Sequence, residues 1–216
     1  MKILVLASQK GGTGKTTLAG HLSVAAEMAG DGPAIMLDMD QQASLSAWWN
    51  NREADTPALA ERIPISDLPA KLAELRSAGF ALAVIDTPPS ATNAIRTVIA
   101  LADLVLIPCR PSPHDLRAVA DTVDMAAASS RPILFAVTQA KPTATLTTQA
   151  VAALSEHGPV AGTIICDRTD FASSMVDGRT TLEIAPKSKS AAEVAALWQN
   201  IRTKLFPTTR KKKETR

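Results

Sequence analysis

Lys2-Ile3-Leu4-Val5-Leu6-Ala7-Ser8-Gln9-Lys10-Gly11-Gly12-Thr13-Gly14-Lys15-Thr16-Thr17 is the stretch that decides the fold. Its apolar start, Lys2–Ala7, predicts a strand, and the pattern that follows predicts a helix over 16–29. The glycines between them let the backbone turn its N–H groups inward around a phosphate with no Cβ in the way. The positive end of the following helix points at the same anion. Lys15 reaches the β- and γ-phosphates of a nucleotide and the Thr16 hydroxyl ligates Mg²⁺, so Lys10–Thr17 reads as a site for ATP and magnesium. The general spacing GxxxxGK[ST] asks for a first glycine at position 9. The chain has Gln9 there and then Lys10, which makes the loop a deviant variant.

Working outward, candidate strands follow at Ala34–Asp38, Ala81–Asp86, Leu104–Pro108, Ile133–Thr138 and Val160–Cys166. Most are apolar along nearly their whole length, as strands covered on both faces are. Helical stretches fall near 43–53, 66–78, 91–101, 114–129, 144–156 and 190–206. Alternation at this spacing implies right-handed crossovers and an α/β fold, a mainly parallel twisted sheet with helices on both faces. Asn51–Pro69 is rich in charge and proline and offers a short strand at Ile63–Ile65. Pro207 ends the last helix. Residues 1–207 are expected to form one P-loop ATPase domain, and 208–216 a basic disordered tail.

Ligands of a parallel sheet sit at the carboxyl ends of its strands. Asp86 closes the run Ala81–Asp86 before Thr87-Pro88-Pro89, which places a carboxylate beside the phosphate loop, suited to holding the magnesium shell through water. Asp38 and Asp40 end the second strand in Met36-Leu37-Asp38-Met39-Asp40-Gln41-Gln42. Two apart, they share a face and both can approach the metal and the γ-phosphate. The plainer alternative is that one of them only caps the following helix.

A chain of 216 residues can bury a core without disulfides. Cys109 and Cys166 form no CxxC pair or metal-type spacing and read as ordinary apolar side chains of a reduced, cytoplasmic protein. The start of the chain has no secretory h-region, and no apolar run approaches a membrane span. His21, His114 and His157 show no ligand spacing. The net charge of +2 is uneven: Arg210–Arg216 carries five basic groups and one acid, a net of +4, leaving −2 on the other 209 residues. That asymmetry points the tail at a polyanion.

At these residues the chain resembles the ParA/MinD group of deviant Walker ATPases, from Lys2 to about Phe206. KGGTGKTT, LDMDQQASLSAW, VIDTPPS and LIPCRPSPHDL fall in family order, and Met175–Gly178, Leu182-Glu183 and Lys189–Glu193 are similar to ParA proteins of the short type. The resemblance implies a homodimer that sandwiches ATP, with Lys10 reaching the partner's phosphates. It implies that Gly11, Gly12, Thr13, Gly14, Lys15, Thr16 and Thr17 wrap the chain's own nucleotide. Asp40 would orient the attacking water, with Asp38 near the metal shell and Asp86 as the Walker B acid. The loop Pro108–Pro113, Pro111 included, and the strand end Thr138–Lys141 would lie near the adenine. One departure stands out: the family commonly has DxDPQ, and Gln41 here replaces the proline that stiffens the turn after Asp40. A cation that must come from a second chain ties hydrolysis to association, so slow intrinsic turnover and stimulation by a partner are expected.

Arg210, Lys211, Lys212 and Lys213 are candidate contacts to DNA phosphates, with Arg168, Arg179, Lys187, Lys189, Arg202 and Lys204 adding positive charge before them. Together with the resemblance they imply non-specific DNA binding, nucleoid association in the ATP state, and a ParB-like or other adaptor that stimulates hydrolysis to move a cargo. Val194, Leu197, Trp198, Ile201, Leu205 and Phe206 recur at helical spacing before the basic cluster. They fit either a MinD-like membrane helix or the packing helix that ParA-like proteins have at this position. A third class, the metal-cluster or biosynthetic P-loop proteins, would need paired cysteines or a substrate pocket that no pattern here supplies. Trp48 and Trp49, on the helix after Asp40, read as packing or dimer-surface residues.

Overall fold

All but the last of the longer apolar runs become strands within a residue or two of their predicted bounds. The computed structural model, which describes residues 1–89, 93–141 and 144–207, contains β1 (Lys2–Leu6), β2 (Ala34–Asp38), β3 (Ala58–Leu59), β4 (Leu82–Asp86), β5 (Leu104–Cys109) and β6 (Ile133–Val137). They form one six-stranded sheet in the order β3-β2-β4-β1-β5-β6, with every pairing parallel. The register aligns Leu6 with Asp86 and Asp86 with Asp38. Three neighbouring strands therefore end together, and the segments leaving them share one edge of the sheet.

Alternation along β1 shows why both faces must be covered. Leu4 and Leu6 enter one core, with Leu18, Leu22, Trp48 and Trp198. Ile3 and Val5 enter the other, with Leu72, Val98, Met125 and Leu154. The first face is closed by α1 (Lys15–Met28) and α10 (Lys189–Leu205), and by α2 (Ser44–Asn50) through Leu45 and Trp48. The second is closed by α3 (Leu68–Ser77), α4 (Asn93–Ala100), α6 (Ala120–Ala128) and α7 (Thr145–Ser155). The apolar stripe of α10 is consumed in this packing: Val194, Leu197, Trp198, Ile201 and Leu205 are all buried. The Trp198 indole also donates to Asp31 at 2.9 Å.

Three expectations are corrected. Val160–Cys166 is not a strand; it runs beside β6 with isolated bridges at Val160 and Cys166, and between them the Gly162 N–H turns away to Asn200. No strand forms at Ile63–Ile65, where Pro64 lacks a ladder donor; the edge strand is Ala58–Leu59 instead, and Ile65–Asp67 is a 3₁₀ turn. The predicted helix over 114–129 is two, α5 (Pro113–Arg117) and α6. Two short helices, α8 (Thr169–Ser174) and α9 (Thr181–Ile184), were not anticipated. The second carries a legible signal, a capping box between Thr180 and Glu183.

The segment leading into α9 meets the end of α2 closely. Gly178 has φ 79, and a Cβ there would lie 2.4 Å from the Arg52 backbone nitrogen. Arg52 donates to the Gly178 carbonyl at 2.8 Å and forks onto both oxygens of Glu183. Gly178→Ala is therefore expected to destabilise the chain by at least about 2 kcal/mol, from left-handed strain plus backbone overlap. A denaturant midpoint equal to that of the parent would show that the loop can retreat at no cost.

Candidate functional site

The loop after β1 is shaped for an anion. Gly12 and Gly14 adopt φ 73 and φ 92, and Gly14 stands at the N-cap of α1 with no side chain satisfying the first-turn N–H groups. The end of β6 ties the loop down through its carbonyls. The Thr138 hydroxyl donates to the Thr13 carbonyl at 2.9 Å, and the Gln139 amide donates to the Gly12 carbonyl at 2.6 Å. Gln139 does so from a left-handed backbone, φ 50. With the carbonyls engaged from behind, the helix N-terminus is left for a ligand.

Lys15, the first residue of α1, is buried, and its ammonium donates to the Lys10 carbonyl at 3.2 Å. Burial pulls its pKa down, against the raising influence of Asp86 and Asp40. The Thr16 hydroxyl donates to Asp86 Oδ2 at 2.6 Å. Asp86 Oδ1 is buried and has no hydrogen-bond partner among the described residues. Burial lifts the Asp86 carboxyl to about 7, with Thr16 opposing and Asp38 adding to the rise. An orphaned carboxylate oxygen beside a hydroxyl is the hard-oxygen pair that Mg²⁺ takes, so the residues present fit the ion. Among the described residues no group of three or more His, Cys, Asp or Glu side chains is placed to hold a metal ion by itself; nucleotide phosphates and water would supply the remaining ligands.

Asp38 is placed differently from a free metal ligand. Its Oδ2 accepts from both the N–H and the hydroxyl of Ser46 at 2.8 Å, and its Oδ1 accepts from the Asp40 N–H at 3.1 Å. The carboxylate thus anchors the first turn of α2 and the bend before it. Asp40 lines a cavity of about 250 Å³ together with Gly11, Gly12, Gly14, Lys15 and Thr16. Its Oδ1 accepts from the Gln42 N–H, and Arg62 donates to its carbonyl at 2.9 Å. In the absence of proline at position 41, these two bonds and the left-handed Ala43, φ 52, define the turn.

A second cavity of about 670 Å³ shares Gly14, Thr16 and Thr17 with the first and extends to Thr138, Gln139, Ile165–Arg168, Phe171, Met175 and Trp48. Its size and partly aromatic lining suit a base and sugar. The residues expected near adenine therefore divide. Thr138 lines this cavity; Pro108 is buried inside β5, opposite Ala136; Pro111 lines a separate cavity of about 560 Å³ together with Lys10. Ile165–Arg168 were missed as site residues, although they leave the strand-like segment beside β6 at the edge where ligands collect. Burial raises both the Cys109 and Cys166 thiols, the former to about 12, which disfavours the thiolate at both. Arg210, Lys211, Lys212 and Lys213 lie outside the described residues.

The sequence and the fold match known proteins consistently with this geometry. Residues 4–182 match the model of the CobQ/CobB/MinD/ParA nucleotide binding domain. The chain is 30% identical over 199 residues to "Maintenance of carboxysome distribution protein A" of Halothiobacillus neapolitanus, covering 88% of this chain and 91% of that protein. It is 34% identical over 128 residues to "Protein ParA" of Rhizobium radiobacter, covering 59% and 57%. The cell division ATPase MinD of Pyrococcus furiosus superimposes with a TM-score of 0.77 at 19% identity, covering 94% of this chain and 98% of that one, which shows the shared fold. Phosphate loop, Thr16–Asp86 pair and parallel sheet thus coincide with a family match over most of the chain, which belongs to the CobQ/CobB/MinD/ParA nucleotide-binding family.

Proposed function

We propose that this chain is a magnesium-dependent ATP hydrolase with slow intrinsic turnover. As an ATP-bound homodimer it binds DNA without sequence preference and positions or segregates a cargo, and an adaptor of ParB-like or other type stimulates hydrolysis. The observation that carries the reading is the deviant phosphate loop, with Lys15 and Thr16 against Asp86 inside it and Lys10 outside, in a chain whose extended similarity is to a protein named for distributing carboxysomes. The cargo is accordingly a DNA locus or a protein assembly. Asp40, lining the phosphate cavity, is assigned to orient the attacking water.

The apolar stripe of α10 bears on the membrane alternative. It is packed into the core, and no helix among the described residues is long and apolar enough to cross a membrane. The basic residues of the last quarter are partly committed as well: Arg168 pairs with Glu193, Arg179 with Asp177 and Arg202 with Asp31. Lys187, Lys189 and Lys204 are exposed and, among the described residues, form no such pair. DNA phosphates are assigned to these lysines and to Arg210–Lys213.

Binding to random-sequence duplex DNA is the test, with no nucleotide, ADP, ATP, and ATP with Asp40→Ala, over a salt series. Salt-sensitive binding that needs ATP and lasts longer in the variant is expected. Absence of DNA binding in every state would sink the DNA-based positioning reading.

A further inference from the structure

We propose that Arg110 is a second cation, beside Lys10, for the phosphates of the nucleotide held by another copy of this chain, so that the cavity next to the phosphate loop is an anion site completed only in the dimer. This rests on the ATP-bound homodimer proposed above.

Arg110 leaves the end of β5 and reaches back over the phosphate loop. A Cβ built on Gly12 would lie 3.8 Å from its Nη1. Its direction is fixed by Asp115, whose Oδ1 accepts from Arg110 Nε at 3.0 Å. Asp115 is only 4% exposed and is held in turn by Ser112, which donates its hydroxyl to Oδ2 and accepts from the Asp115 N–H. Burying a carboxylate is costly unless it is partnered, yet the partner here keeps 36% of its side chain in solvent. One edge of the guanidinium is thus locked by a buried acid, while its other N–H donors have no hydrogen-bond partner among the described residues, the preorganised fork that suits phosphate oxygens.

The surroundings say which phosphates these are. The 560 Å³ cavity is lined by Lys10, Arg110, Lys141 and His114, and the one acid among its described lining residues, Asp115, is already engaged by Arg110. The cavity that takes the chain's own phosphates is lined by Lys15 and Thr16, and neither Lys10 nor Arg110 is among its lining residues. The two outer cations therefore await an anion other than the nucleotide bound in cis. A triphosphate presented by a second copy across the loop supplies one, and cations donated from another chain stabilise the charge that develops on phosphoryl transfer.

The test compares the full chain with Arg110→Ala, Arg110→Lys and Asp115→Asn. Mass by light scattering is followed across protein concentrations with a slowly hydrolysed ATP analogue, alongside fluorescent-ADP affinity of the monomer and thermal melting. Arg110→Ala is expected to weaken the analogue-driven dimer about tenfold or more, as loss of one partner of a charged interfacial contact does, while ADP affinity stays within about twofold because no cis contact is lost. Arg110→Lys and Asp115→Asn should fall between, and they carry the test should Arg110→Ala melt early. An Arg110→Ala chain that dimerises like the parent overturns the proposal, including the case where it loses only DNA binding. A loss of ADP affinity equal to the loss of dimer overturns it too, by returning Arg110 to its own chain's nucleotide. A parent that stays monomeric with the analogue defeats the homodimer reading beneath, and is seen before any variant is compared.

Discussion

Lys15→Met is expected to cut ATP turnover by about 10²- to 10³-fold or more, the usual cost of removing one preorganised electrostatic group from a transition state, without lowering the melting temperature of the nucleotide-free chain. The two halves of this expectation share one cause. The Lys15 ammonium is buried, and burial disfavours its charge. It is tolerated because it donates to the Lys10 carbonyl and faces Asp86 and Asp40. Free of ligand, the ammonium adds little to stability. When a triphosphate arrives it has the strongest anion in the site to neutralise, in a position already fixed by the first turn of α1. Methionine keeps most of the apolar stem and deletes the charge, which separates packing from chemistry. Phosphate release and a thermal melt measure the two. Turnover within about threefold of the parent would remove Lys15 from the chemistry, since a real electrostatic contribution is far larger; a melt lowered with turnover would make it a packing residue.

The sequence made most of this arrangement legible because the controlling forces are local. β1, β2, β4, β5 and β6 are apolar runs that only a two-sided core can satisfy, and the loop Lys10–Thr17 needs glycines at Gly12 and Gly14 for left-handed backbone. Asp86 and Asp38 could be placed at strand ends because strand ends align in a parallel sheet. What escaped was set by partners distant in sequence. Asp38 is directed by Ser46, eight residues on and reached through a bend. The α8 and α9 helices are too short to announce themselves by periodicity; they are held by contacts such as Ser190 with Asp170 and Thr181 with His21. The base-side cavity draws on Trp48, Gln139, Ile165 and Phe171, from four separate segments. Pro108, which family order put near the site, is buried within β5, a strand covered on both faces.

His21 shows how such a distant contact becomes measurable. No ligand spacing marked it in the sequence, yet it is fully buried on α1. The Thr181 N–H donates to its Nε2 at 3.1 Å, which fixes Nε2 as the unprotonated nitrogen, so Nδ1 carries the hydrogen and donates to the Thr17 carbonyl at 2.8 Å. Its ring also packs against Phe171 at 5.3 Å. A second proton would set an Nε2–H against the Thr181 N–H in a site closed to solvent, where the Ser174 hydroxyl lies 3.3 Å from the same nitrogen. Burial accordingly lowers the pKa from 6.5 to about 4, although the Thr17 carbonyl and the charge of Glu183 favour the cation. Because the folded pKa lies below the unfolded one, the unfolded chain takes up its proton first. The neutral imidazole's contribution is complete above pH 6.5 and is lost progressively between 6.5 and about 4. The span corresponds to about 3 kcal/mol at its acid end. Urea unfolding of the parent and His21→Gln across pH 7.5 to 4.5 isolates this, since the remaining carboxylates titrate in both. The parent should lose stability more steeply on acidification, its extra loss growing toward about 3 kcal/mol as pH 4 is approached. Parallel curves would mean that the imidazole is already charged in the fold, or that water reaches it. The bond pair it makes, Thr17 on one side and Thr181 on the other, joins the helix of the phosphate loop to α9, the helix that follows the α8 wall of the base-side cavity. The same acid limb should therefore appear in nucleotide affinity before the chain as a whole unfolds.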